Sequence, residues 1–177
     1  MSLATVCALP YAVLASYLRD PGDPTHRCAR IAAAHGRLWI VSITSSPDCP
    51  ANAFEDWGDG GPAPLVSDAG DRLALAFDDV EPGPDDVASP RVRPFTRAMA
   101  ERTVDFVARA HRDDPARRDA LLVQCHAGVS RSGAVADFAR TLAGVPYDDF
   151  RRENPQVVPN VWVRRLLFEA WEARGGL

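Results

Sequence analysis

The stretch that decides the fold reads Ala120-Leu-Leu-Val-Gln-Cys125-His-Ala-Gly128-Val-Ser-Arg131-Ser-Gly-Ala-Val-Ala. It begins as an apolar run with the length and branching typical of a buried strand. A short loop around Gly128 follows, and from Ser132 to Leu142 the apolar residues recur at helical spacing. A strand, a tight loop and a helix in this order turn backbone N–H groups inward at the positive end of a helix dipole. That arrangement binds anions, typically phosphate.

The residues of this loop suit chemistry on a phosphate group. Cys125 lies between a strand end and a helix N-terminus, a position that stabilises a thiolate. The planar guanidinium of Arg131 can hold two phosphate oxygens, and Ser132 can donate a hydrogen bond to the sulfur. A lone buried cysteine after a strand is commonly just a small hydrophobe. The order Cys-x-x-Gly-x-Ser-Arg-Ser between strand and helix is far more specific.

The remaining chain alternates predicted strands and helices. Strands are predicted over residues 3–9, 38–43, 73–77 and 120–123, and helices over 10–18, 31–35, 93–112, 132–142, 147–153 and from an N-cap at Asn160 onward. This alternation implies an α/β fold with a mostly parallel central sheet flanked by helices. Ligands of such sheets lie beyond the carboxyl ends of the strands, where the Cys125 loop and the acidic segment after residues 73–77 both fall.

Length and composition indicate one ordinary globular domain over residues 1–177. The chain is 46% hydrophobic and 25% charged, and its net charge of −4 argues against binding nucleic acid or an anionic membrane. No signal peptide or membrane span is recognisable, so we expect a cytoplasmic protein. The cysteines have no zinc-ligand spacing, and neither a metal nor a cofactor is expected. Nothing in the sequence indicates the oligomeric state.

A family resemblance follows from these residues. Cys125-His-Ala-Gly128-Val-Ser130-Arg131-Ser132 resembles the signature loop Cys-x5-Arg-Ser/Thr of the cysteine-dependent protein tyrosine and dual-specificity phosphatases. The similarity covers most of the chain: an acidic strand end precedes a long helix and the cysteine strand, and Asn-Pro and Pro-Asn pairs precede the last helix. The low-molecular-weight tyrosine phosphatases carry the motif near the N-terminus, so its position here argues against that lineage.

The resemblance implies a tyrosine-phosphatase-like fold and a phosphocysteine intermediate on Cys125, with Arg131 and Ser132 as further catalytic residues. The phosphate-binding residues that it implies are His126, Ala127, Gly128, Val129, Ser130 and Arg131. The family also needs a general acid on a separate loop to protonate the leaving oxygen. Asp79 matches that role best, and Asp78 is its close rival.

One residue departs from the family pattern. The family usually has histidine immediately before the nucleophile, where this chain has Gln124. Glutamine can hydrogen-bond to neighbouring backbone and hold the loop, but the support that histidine gives to a thiolate does not carry over. No lysine lies between Cys125 and Arg131, which favours phosphorylated protein side chains, tyrosine first, over inositol phosphates. The long 44–64 segment, with Phe54 and Trp57, either shapes pocket depth or anchors the core.

The sequence therefore predicts a phosphate monoester hydrolase, a protein tyrosine or dual-specificity phosphatase acting on a phosphorylated protein or a small phosphate monoester. A catalytically weak or inactive phosphate-binding module of the same fold is the alternative that Gln124 leaves open. A sulfur- or arsenate-handling enzyme is a further competitor. It would use additional partner cysteines, and Cys7, Cys28 and Cys49 have no motif context.

Overall fold

A computed structural model describes residues 3–45, 64–80, 92–112 and 118–176. The strands are Leu3–Pro10 (β1), Leu38–Thr44 (β2), Arg72–Ala76 (β3) and Asp119–Cys125 (β4). The helices are Tyr11–Arg19 (α1), Arg27–Ala34 (α2), Arg97–Arg112 (α3), Arg131–Ala143 (α4), Tyr147–Glu153 (α5) and Val161–Glu172 (α6). Within the described ranges no helix combines the length and apolarity needed to cross a bilayer.

The strands form a parallel sheet in the order β1-β4-β2-β3. β4 is central and every one of its residues is buried, which explains its unbroken apolar run. The register pairs Cys125 with Pro10 of β1, and Gln124 with Ser42 of β2. The carboxyl ends of the strands therefore meet beside the Cys125 loop (residues 125–131), as the sequence predicts.

Helices cover both faces of the sheet because strand residues point alternately to either side. Leu121 and Val123 pack in the larger core cluster with α3, α4 and α6. Leu122 packs in the smaller cluster with α1 and α2. Cys125 belongs to the larger cluster, so its side chain lies on the same face of the sheet as α4. The predicted α/β class, a parallel central sheet flanked by helices, is confirmed.

Several predicted helix boundaries differ from those in the structure. The predicted 93–112 helix starts at Arg97, because the backbone of Arg93 pairs with Asp78 instead. The predicted 31–35 helix spans Arg27–Ala34, since the His26 ring caps it by accepting from the backbone N–H of Cys28. Pro10 ends β1 and serves as the N-cap of α1, not as its first helical residue. Most of the 44–64 segment, including Phe54 and Trp57, lies outside the described residues.

Candidate active site

The Cys125 loop is tight because Gly128 lets it pass against the end of β1. Gly128 has φ +72°, which glycine adopts without strain. A Cβ atom there would lie 2.5 Å from the backbone nitrogen of Pro10. No other residue type fits both the torsion angle and the space, so the glycine in the motif has a direct steric cause.

Four backbone carbonyl groups of this loop point away from the inside of the loop, toward the surrounding protein. The oxygens of His126, Gly128, Val129 and Ser130 accept hydrogen bonds of 3.0–3.2 Å from, respectively, Tyr11 N, Gln156 Nε2, Val158 N and Asn160 N. In a trans peptide the C=O and the following N–H point in opposite directions. The amides that follow these carbonyls therefore face the inside of the loop.

Three of these inward amides have no hydrogen-bond acceptor within the part of the chain that the structure describes. The N–H groups of Ala127, Val129 and Ser130 donate to no acceptor among the described residues. α4 begins immediately afterwards, at Arg131, so the positive end of its dipole lies at the same place. Backbone donors that converge at a helix N-terminus form a site for an anion such as phosphate.

Cys125 lies at the base of this loop, next to Ser132. Its thiol is 2% exposed, and its Sγ is 3.0 Å from the Oγ of Ser132, which is itself fully buried. The side chains meet because Cys125 ends β4 on the face that α4 covers. When the sulfur is a thiolate, the Ser132 hydroxyl is the donor of this hydrogen bond.

Arg131 is held by one of its terminal nitrogens, Nη1. Its Nη1 donates to the Phe77 carbonyl oxygen at 2.8 Å and to Ser45 Oγ at 2.9 Å. The residue is 5% exposed, and its buried Nε has no hydrogen-bond partner among the described residues. A buried donor without a partner is costly unless a ligand satisfies it. The Nε–H of Arg131 is therefore available to a bound anion.

The structure separates the two candidate acids. Asp79 is exposed, and its Oδ1 accepts from Ser130 Oγ at 2.8 Å and from Asn160 Nδ2 at 2.9 Å, so its carboxylate lies against the Cys125 loop. Asp78 is 1% exposed, and its Oδ2 accepts from Arg93 N at 2.7 Å. Asp78 therefore holds Arg93 beside the segment that follows β3, whereas Asp79 faces the Cys125 loop.

The side chain of Gln124 points away from Cys125. It is fully buried; its Oε1 accepts from Ser42 Oγ at 2.7 Å and its Nε2 donates to the Ile43 carbonyl at 3.3 Å. Because adjacent strand residues face opposite sides, its side chain lies on the α1 and α2 side while that of Cys125 lies on the α4 side. Gln124 thus joins β4 to β2 and makes no hydrogen bond to the sulfur.

We expect Gln124→Ala to lower the free energy of unfolding more than it lowers any turnover of the folded protein. Removing the amide leaves a cavity and unpaired buried groups, and the free energy of unfolding should fall by about 1–3 kcal/mol. Urea denaturation measures the first effect, and turnover of an aryl phosphate by the folded variant measures the second. A variant with unchanged stability and strongly reduced turnover would instead give Gln124 a role at the sulfur.

The other described cysteines differ from Cys125 in their surroundings. Burial raises the pKa of the Cys7 thiol to about 11 and also raises the pKa of Cys28. Both lie in the smaller core cluster, on the opposite face of the sheet from Cys125. Neither Cys7 nor Cys28 is therefore placed to act as a partner thiol for Cys125, and Cys49 lies outside the described residues.

Sequence reasoning did not assign Ser45, Asn160 or Gln156 to this site. Asn160 is confirmed as the N-cap of α6, where its Oδ1 accepts from Val163 N at 2.9 Å. Its second contact, with Asp79, is long-range and has no local signal. Among the described residues no cluster of three or more His, Cys, Asp or Glu could hold a metal ion.

Comparisons with known proteins add a likeness in fold. No protein-family model matches the chain, and no curated protein matches its sequence significantly. Among solved structures, it is similar to the crystal structure of a human tyrosine phosphatase-like serine/threonine/tyrosine-interacting protein. The TM-score is 0.46 at 18% sequence identity, with 82% of this chain and 83% of that chain covered. Likeness at this level says nothing about activity.

Proposed function

We propose that this protein is a phosphate monoester hydrolase, a protein tyrosine or dual-specificity phosphatase that acts through a phosphocysteine. One observation carries the proposal: a buried thiol lies at the base of a loop with inward amides, and the unpartnered Nε of Arg131 belongs to the same loop. A buried arginine nitrogen and several amides without acceptors suit an anion. A thiol beside a bound phosphate suits nucleophilic attack.

The proposed reaction has two steps. The Cys125 thiolate attacks phosphorus, an S–P bond forms, the ester P–O bond breaks, and Asp79 gives its proton to the leaving oxygen. Water then attacks the phosphocysteine, Asp79 takes a proton from that water, and the S–P bond breaks to release inorganic phosphate. The loop amides and Arg131 stabilise the phosphoryl oxygens in both steps. The Ser132 hydroxyl donates to the sulfur as it leaves.

The substrate we propose is a phosphorylated protein side chain, tyrosine first, or a small phosphate monoester. The lysine-free Cys125 loop supports this choice over inositol phosphates. We further propose that residues 1–177 act as one phosphatase domain in the cytoplasm. A reducing compartment keeps a nucleophilic thiol available, and the described cysteines Cys7, Cys28 and Cys125 are all unpaired.

A chromogenic aryl phosphate assay tests the proposal directly. We expect the wild-type protein to release inorganic phosphate, to pass through a trappable phosphocysteine, and to keep its activity in the presence of a chelator. Phosphate binding without turnover would instead identify the phosphate-binding module. Turnover abolished by the chelator would contradict the metal-free mechanism.

Asp79→Asn is expected to reduce kcat/KM for aryl phosphates by about 10²–10⁴-fold, the usual contribution of acid–base catalysis. The variant should also lose the decline in rate on raising the pH, because it has no acid left to deprotonate. Asp78→Asn is the matched control: an amide oxygen can still accept from Arg93 N, so we expect little change in activity. A large loss in Asp78→Asn and none in Asp79→Asn would move the general acid by one residue.

A further inference from the structure

We propose that Asn160 is a positioning residue that, together with Ser130, assigns the transferable proton of Asp79 to its Oδ2 atom. This inference rests on the proposed function. The question is which carboxyl oxygen of Asp79 carries the proton, since the two oxygens of a free carboxyl group are equivalent. The hydrogen bonds around Asp79 remove that equivalence.

The orientation of the Asn160 amide is set by its two partners. Its Oδ1 accepts from the backbone N–H of Val163 at 2.9 Å, which caps α6. An N–H donor requires an oxygen at that position, so the amide nitrogen must be the atom on the other side. That nitrogen, Nδ2, lies 2.9 Å from Asp79 Oδ1. The hydrogen bond that caps α6 therefore also fixes the amide nitrogen of Asn160 on Asp79.

Asp79 Oδ1 is saturated by two donors. It accepts from Ser130 Oγ at 2.8 Å as well as from Asn160 Nδ2. A proton on Oδ1 would displace one of these donors, because the two hydrogen bonds already occupy its lone-pair directions. Oδ2 accepts no hydrogen bond from the described residues. The acidic proton therefore resides on Oδ2, the oxygen that is available to a substrate.

Rigid elements support this arrangement, although the Asp79 side chain itself is exposed. Asn160 is 5% exposed, and its backbone N–H donates to the Ser130 carbonyl at 3.2 Å. The same residue thus contacts the Cys125 loop, the start of α6 and the acid. Hydrogen bonds from two fixed elements therefore favour one orientation of the exposed Asp79 carboxylate.

Asn160→Ser tests the inference, because serine is also a good N-cap and can still accept from Val163 N. Its short side chain supplies no amide donor to Asp79. Phenyl phosphate releases a phenol with a pKa near that of tyrosine, about 10, and so needs a proton from the enzyme. 2,4-Dinitrophenyl phosphate releases a far more acidic phenol and needs none. We expect kcat/KM to fall about tenfold for phenyl phosphate and by less than about twofold for the dinitrophenyl ester.

Two further variants distinguish a change in the position of Asp79 from a general loss of stability. Asn160→Asp keeps the shape and the cap acceptor but presents a carboxylate to Asp79, and we expect the same selective loss. Asn154→Ser is the matched control: Asn154 is a buried asparagine that bonds Ala8 N and the carbonyls of Val6 and Phe150, away from the acid. Any decrease in kcat/KM caused by Asn154→Ser should be the same for both esters.

The outcomes separate the inference from the proposed function. A wild-type protein that turns over neither ester contradicts the proposed function. A wild-type protein that turns over both, with Asn160→Ser reduced equally on the two, contradicts the positioning role and leaves the phosphatase assignment standing. A selective loss on phenyl phosphate supports both.

Discussion

Cys125→Ser is expected to retain phosphate binding and to lose aryl phosphate turnover by on the order of 10⁴-fold or more, as removal of a catalytic nucleophile does elsewhere. The serine hydroxyl stays protonated near neutral pH, and its buried neighbour Ser132 is no base that could activate it. The loop amides and Arg131 are unchanged by the substitution. Binding of the anion and chemistry on it should therefore separate in this variant.

The measurement combines steady-state kinetics with calorimetric titration of inorganic phosphate or vanadate. Cys28→Ala is the control, because Cys28 is an equally buried thiol on the opposite face of the sheet. We expect that variant to keep its turnover after correction for the folded fraction. Residual turnover in Cys125→Ser close to the wild-type rate would exclude the phosphocysteine mechanism.

The strand, loop and helix around Cys125 could be predicted because each follows from local physics. An apolar run without polar interruption predicts a strand buried on both faces, and β4 is buried along its whole length. The close passage of Gly128 against Pro10, where a Cβ atom would lie 2.5 Å from the proline nitrogen, joins the loop to β1 and has no signal in the sequence. The predicted start of α3, at residue 93, is wrong because the backbone of Arg93 pairs with Asp78, a contact with no local signal in the sequence.

The partners within the site could not be predicted in the same way. Asp78 and Asp79 are adjacent and chemically identical in the sequence, and only their placement separates a buried structural carboxylate from one at the loop. The Arg131 contact with Ser45 and the Asp79 contact with Asn160 each join residues more than 80 positions apart. The sequence predicts that Gln124 bonds to neighbouring backbone and holds the loop, but its partners, Ser42 and the Ile43 carbonyl, both lie in β2. That it faces away from Cys125 follows from the alternation of strand residues.

Arg131→Lys is expected to reduce kcat/KM for aryl phosphates by about 10²–10³-fold, the usual effect of removing a donor that stabilises transition-state charge. The guanidinium performs two tasks at once: Nη1 bonds the Phe77 carbonyl and Ser45, while Nε remains for a phosphate oxygen. A lysine ammonium is a single point of charge and cannot span both positions. Arg131→Lys should therefore lose kcat/KM although it keeps the positive charge.

Inhibition by inorganic phosphate should weaken in Arg131→Lys. Asp79→Asn should lose turnover but keep its inhibition by phosphate, because Asp79 contributes a proton and no positive charge. Arg174→Lys is the matched control, since Arg174 is a solvent-exposed arginine paired with Asp105. Chemical denaturation of Arg131→Lys must accompany the kinetics, because the buried Phe77 carbonyl loses its donor. If a folded Arg131→Lys kept wild-type kcat/KM and phosphate affinity, the guanidinium would be a structural tie between α4 and the end of β3, and the anion site would have to be held by the loop amides alone.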